Sequence, residues 1–173
     1  MSMKPTLELI NKMQAHGVIG KYAIGGAVGA TFYLEPAATL DVDVFVVLPS
    51  VANSSLLSLS PIYQFLSTYG CQPEGEHIVV GGWPVQFLPA SDSLEMDALE
   101  QAVATEVEGE RAWVMTAEHL VAIALRTARA KDHARILQFL ELDAVDGNRL
   151  ESILSRYGLL RKWQTFLAKY VDK

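Results

Sequence analysis

Asp41-Val42-Asp43-Val44-Phe45-Val46-Val47-Leu48 is the most strand-like stretch of the chain, and its reading decides the fold. Residues two apart on a strand share a face, so the two carboxylates point the same way. The rest of the stretch is apolar on both faces, as in a buried central strand. Two like charges at the entrance of such a strand repel each other and are poorly solvated. A hard divalent cation that accepts oxygen ligands is the natural compensation. The plain alternative is a strand start at the surface, and the upstream sequence bears on the choice. A short strand over 21–24 runs straight into Gly25-Gly26, followed by an Ala/Val/Gly-rich helix over 27–33. Glycine admits close approach of a ligand to the backbone, and a helix start offers free N–H groups, for which phosphate is the usual guest. One element suited to triphosphate oxygens therefore precedes one suited to the metal that neutralises them.

Working outward, residues 6–16 carry Leu7, Ile10 and Met13 along one helical stripe, and Gly17 follows as a stop. A loop with Pro36 leads into the Asp41 strand, and a Ser/Asn stretch over 50–60 reads as a loop. Ser60-Pro61 predicts an N-cap and first-turn proline for a helix that Gly70 ends. Strands over 77–80 and 83–88 flank Gly81-Gly82, a two-residue hairpin signal. Asp92 with Glu95 predicts a capping box for a helix over 93–104. One further strand is expected over 107–115, with Thr116 capping the next helix. From there only helices follow: 116–128, 130–142, 147–156 and 159–170. The expected fold class is α/β (α+β), a mixed sheet with packed helices and a C-terminal helical cap. The division is 1–115 for the sheet core and 116–173 for the helical part, together one structural unit.

Half of the 173 residues are hydrophobic and 20% are charged, which supplies a core and excludes a disordered chain. No apolar run reaches the roughly 18 residues of a membrane span. The N-terminal segment lacks the pattern of a signal peptide, so a cytoplasmic protein is expected. Cys71 is the sole cysteine, which leaves no disulfide and no cysteine-based zinc site. The formal net charge of −6 is unevenly distributed. Residues 1–110 hold three Lys and thirteen acidic residues, a sum of −10, while residues 111–173 hold eleven basic and seven acidic residues, a sum of +4. Non-specific wrapping of nucleic acid is disfavoured by the acidic total, though the basic last third leaves a local contact open.

Ile24-Gly25-Gly26, then Asp41-Val42-Asp43-Val44, resembles the signature of the nucleotidyltransferase fold shared by DNA polymerase β-like enzymes. A second block, Glu118-His119-Leu120-Val121-Ala122-Ile123-Ala124 followed by Arg129-Ala130-Lys131-Asp132, is similar to the later motifs of abortive-infection (AbiEii-type) toxin nucleotidyltransferases. The resemblance covers roughly residues 20–140. It implies a Mg²⁺- or Mn²⁺-dependent transfer of a nucleoside monophosphate from a nucleoside triphosphate. The acceptor it implies is a tRNA or protein hydroxyl, in a toxin–antitoxin setting with an antitoxin partner.

On this resemblance Asp41 and Asp43 are the catalytic metal ligands. Gly25 and Gly26 cradle phosphates, and Thr39 donates a hydrogen bond to phosphate or sugar. Lys131 and Arg129 approach the triphosphate from the helical cap, beside Asp132, which serves equally well as a helix cap. Three departures stand out. The third carboxylate of the family aligns with Gln86, its helix lysine falls on Ala124 with Arg126 as the nearest cation, and an acidic position is taken by Arg135. A glutamine oxygen ligates a metal but brings no charge and cannot act as a base. The alternative to an enzyme is therefore a catalytically impaired nucleotide-binding or protein-interaction module of the same fold.

Overall fold

A computed structural model describes residues 1–36, 41–49 and 58–173. Thr39 and most of the Ser/Asn stretch lie outside the described residues. The elements are α1 (Lys4–Ala15), β1 (Tyr22–Ile24), α2 (Gly26–Ala30), β2 (Val42–Val46), α3 (Ser60–Ser67), β3 (Pro73–Glu74), β4 (His77–Val80) and β5 (Trp83–Pro89). They continue with α4 (Ser93–Glu100), β6 (Val103–Val107), β7 (Glu110–Val114), α5 (Ala117–Thr127), α6 (Ala130–Glu141), α7 (Gly147–Arg156) and α8 (Leu160–Tyr170).

The described strands form one mixed sheet in the order β3-β4-β5-β2-β1-β7-β6. β2 is central, antiparallel to β1 and parallel to β5. Its alternation sorts the two layers. Val42, Val44 and Val46 are fully buried against α1 and α3 through Leu7, Ile10, Met13, Ile62 and Leu66. Phe45 belongs to the opposite layer, with Leu94 and Leu99 of α4 and the apolar faces of α5 to α8. Asp43 shares the Phe45 face, so the helices of the last third cover the side on which the carboxylates stand. Among the described residues no helix is long and apolar enough to cross a membrane.

The expected mixed sheet and helical last third are observed, and four local expectations need correction. Helix α4 stops at Glu100 because Val103–Val107 pairs with β7, so a hairpin replaces the single strand expected at 107–115. Its turn is Glu108-Gly109, both at positive φ (52° and 85°), as a tight two-residue hairpin demands. The Glu108 carboxylate then accepts hydrogen bonds from the backbone N–H groups of Met3 and Lys4 at 2.8 and 2.9 Å, closing the open start of α1. Ser60 is inside α3 and not its cap; Leu59 occupies that position. Asp92 caps α4 by accepting from the Glu95 N–H at 2.8 Å, but Glu95 does not return the bond, because its carboxylate is taken by Arg126. Finally, α2 is only five residues long, so phosphate attraction by its dipole is weaker than a full helix would supply.

Phe139 of α6 is 1% exposed in the core that joins α6 to the sheet through α5. Phe139→Ala is expected to lower stability by about 3–5 kcal/mol, read from the midpoint of chemical denaturation.

Candidate functional site

A cavity of about 450 Å³ lies between the carboxylate face of β2/β5 and the start of the helical third. Gly26, Asp41, Asp43, Gln86, Arg129, Lys131 and Asp132 all line it, together with Ala124, Arg126 and Arg135. Residues some ninety positions apart in sequence are thus brought to one place. Gly25 is buried behind the wall; its N–H donates to the Asp43 carbonyl at 2.9 Å and its α-carbon is closed in by Phe45 and Met115.

Gly26 is the residue that sets the position of Asp43. Its φ is +57°, and a Cβ there would collide with the Asp43 carboxylate. Only glycine permits this backbone so near that side chain. In register with Asp43 on the parallel neighbour stands Gln86, and Phe45 and Leu88 follow as the next inward pair. Gln86, which the resemblance aligns with the third ligand position, thus stands beside Asp43 on the sheet.

Burial raises the Asp43 pKa above the ordinary carboxylate range, and the neighbouring Asp41 charge raises it further. Lys131, Arg129 and Arg135 act in the opposite direction. None of these cations makes an ion pair with Asp43 among the described residues. Asp41 is more exposed, and His77 Nε2 approaches its carboxylate to 3.5 Å. Across the cavity, Asp132 is almost wholly buried and accepts from Arg129 Nε at 2.8 Å and from the Arg129 backbone N–H at 3.2 Å. Arg135 Nη1 stands 3.5 Å from its other oxygen. Asp132 thus closes the start of α6 and orders two arginines at once. Lys131, exposed at the rim, forms no ion pair among the described residues.

Asp41, Asp43 and the Gln86 amide oxygen make an all-oxygen donor set, which suits a hard divalent cation. The two neighbouring like charges of Asp41 and Asp43 suit the same kind of ion. Among the described residues no group of three or more His, Cys, Asp or Glu side chains is gathered for metal binding.

Two contributors escape a reading of the sequence. Arg135 lines the cavity as a cation although the resemblance marks it only as a departure. Glu95 lines it as a further carboxylate, while its spacing from Asp92 signals only a helix cap. Asp97 is not available to the site, being held by His119 Nε2 at 3.1 Å and Arg156 Nη1 at 3.4 Å.

The sequence matches no protein-family model and no curated protein. Among solved structures, an antigenic nucleotidyltransferase-like protein from Paracoccidioides brasiliensis is similar over 97% of this chain and 91% of that one, with a TM-score of 0.56 and 13% identity. The fold is nucleotidyltransferase-like. The antibiotic-resistance factor ANT(2″)-Ia is also similar in shape. Its solution structure gives a TM-score of 0.49 at 14% identity, covering 95% of this chain and 99% of that one. Its complex with adenylyl-2″-tobramycin gives 0.48 at 13% identity, covering 96% and 99%.

Because the folded pKa of Asp43 lies above its unfolded value, ionised Asp43 costs stability at neutral pH, and the cost is relieved as pH falls through the folded pKa. Asp43→Asn is therefore expected to melt higher than the unsubstituted protein at pH 7, each kcal/mol being worth about 2–4 °C at this chain length. The gap should close on acidification towards the ordinary carboxylate range. Gly26→Ala should act in the reverse sense, losing about 1–3 kcal/mol to backbone strain with further loss from the displaced carboxylate.

Proposed function

We propose that the protein binds a Mg²⁺- or Mn²⁺-chelated nucleoside triphosphate and transfers its nucleoside monophosphate to an RNA or protein hydroxyl. The observation that carries this reading is the half-buried Asp43 carboxylate, pressed against Gly26 and faced across one cavity by Lys131, Arg129 and Arg135. Asp41 and Asp43, with the Gln86 oxygen, are the proposed metal ligands. A divalent ion there would supply charge neutralisation between the carboxylates and the triphosphate. Gly26 admits the phosphates close to the backbone. Lys131 and Arg129, backed by Arg135, balance the remaining phosphate charge. Asp132 holds both arginines, and Thr39 is proposed as a hydroxyl donor to phosphate or sugar.

In the transfer, the acceptor oxygen bonds to the α-phosphorus and the bond to the β-phosphate oxygen breaks. Pyrophosphate leaves with the electron pair. Positioning and electrostatics carry most of such a step. The hydroxyl proton must pass to a carboxylate or to water, since the Gln86 amide cannot take it. The closer likeness to AbiEii-type toxins, a tRNA acceptor and an antitoxin partner belong to this proposal and rest on sequence resemblance; a cytoplasmic setting and the 1–115/116–173 division are proposed with them from the reading of the residues themselves.

A specific observation favours a second reading. Gln86, the register partner of Asp43, is neutral, which fits a nucleotide-binding module with impaired transfer. Incubation with α-labelled triphosphates, Mg²⁺ or Mn²⁺ and cellular RNA or protein separates the two. Under the first reading an acceptor becomes labelled and Asp43→Ala abolishes the label. Silence, with a melting temperature that still rises with metal and nucleotide, selects the impaired module. Ligand at a hundredfold excess over its Kd contributes about 2.7 kcal/mol, so the absence of any shift overturns both. Gln86→Asp should tighten divalent-ion binding in either case; unchanged affinity would remove Gln86 from the proposed site.

A further inference from the structure

Beyond the carboxylate pair the cavity continues along β2 and β5. A strand advances about 3.3 Å per residue, so the Phe45/Leu88 step lies about 7 Å past Asp43/Gln86. There the lining turns apolar, with Phe45, Leu88, Met115 and Ile123. Ser91, three residues beyond Leu88 in the chain, lines the same cavity with Glu95 and Arg126. The Glu95 side chain is only 9% exposed. Its Oε2 accepts from Arg126 Nη2 at 2.9 Å and from the Ser91 hydroxyl at 3.2 Å. Its Oε1 meets the same hydroxyl only at 3.5 Å, beyond the usual O–H···O range of about 2.5–3.0 Å. Arg126 also binds the Asp92 carboxylate. Two carboxylates share one guanidinium, which leaves one formal negative charge and an under-used oxygen at the end of an apolar slot.

Cations, a carboxylate pair, apolar residues and an acceptor oxygen on one cavity match in kind the polyphosphate, α-phosphate, flat ring and ring-edge donor of a nucleotide. We infer that this end of the cavity reads the nucleobase, with Glu95 accepting a hydrogen bond from an exocyclic amine on the base's edge. The inference rests on the nucleotide reading above and adds a specificity determinant to it. The residual negative charge repels a carbonyl edge and attracts an N–H edge, so bases lacking the amine, uracil and hypoxanthine, are disfavoured. Arg126 is a positioning residue here: it holds Glu95 in place.

The test is calorimetric titration with Mg²⁺ and five triphosphates, those of adenosine, guanosine, cytidine, uridine and inosine, beside inorganic tripolyphosphate. In the unsubstituted protein, at least one amine-bearing base should bind about tenfold or more tighter than its amine-free counterpart, the worth of a hydrogen bond to a charged group. The matched pairs are guanosine or adenosine against inosine, and cytidine against uridine. Glu95→Gln, whose amide donates as well as accepts, should close that gap while leaving tripolyphosphate affinity unchanged, which also reports an intact fold. Equal affinity for all five nucleotides overturns the base-reading role and leaves the triphosphate site standing. A gap that survives Glu95→Gln overturns the assignment to Glu95. If neither tripolyphosphate nor any nucleotide binds, the functional reading falls and takes this inference with it.

Discussion

The contact between the Gly26 backbone and the Asp43 carboxylate is the constraint on which the cavity depends. Gly26 holds a left-handed conformation with no room for a Cβ, and the neighbouring Gly25 N–H is tied to the Asp43 carbonyl. Together these lock the β1–α2 turn against β2. The carboxylate is held where water is scarce, and burial raises its pKa. A fold selected for stability alone would replace that charge; its retention beside Asp41 is what one expects where a cation is to be held. The β2–β5 register then sets the neutral Gln86 side chain next to it.

The opposite wall is organised by another buried carboxylate. Asp132 closes α6 and holds Arg129 and Arg135, so the guanidinium groups face the cavity in a fixed arrangement. Asp41 and Asp43 of the acidic first 110 residues thus share one cavity with Arg129, Lys131 and Arg135 of the basic remainder. Glu95 of α4, held by Arg126, lines the same cavity together with Phe45, Leu88, Met115 and Ile123.

Much of this is legible before any coordinates. The Asp41–Leu48 stretch predicts a two-sided central strand with both carboxylates on one face, and Val42, Val44 and Val46 are indeed sorted from Phe45. Thr116 caps α5 as expected, and the four C-terminal helices start and stop within a residue or two. The failures have physical causes. Val103–Val107 is hidden because a Glu-Gly turn with a non-glycine residue at positive φ is a weak hairpin signal. Local spacing suggested a reciprocal capping box at Asp92/Glu95, but Arg126, thirty-one residues away, outcompetes the backbone for Glu95. Long-range pairing of this kind leaves no periodic mark, and the same holds for Arg135.

The most direct test of the central idea is nuclear magnetic resonance of the backbone amides during addition of substoichiometric Mn²⁺. Its paramagnetism broadens signals near the bound ion. Selective early loss of the Gly26, Asp43 and Gln86 signals is the predicted result, with sharp signals retained at exposed acidic positions such as Glu106 and Glu151. Broadening spread over the exposed acids while Gly26 stays sharp would contradict it, and the buried carboxylate would then need another explanation.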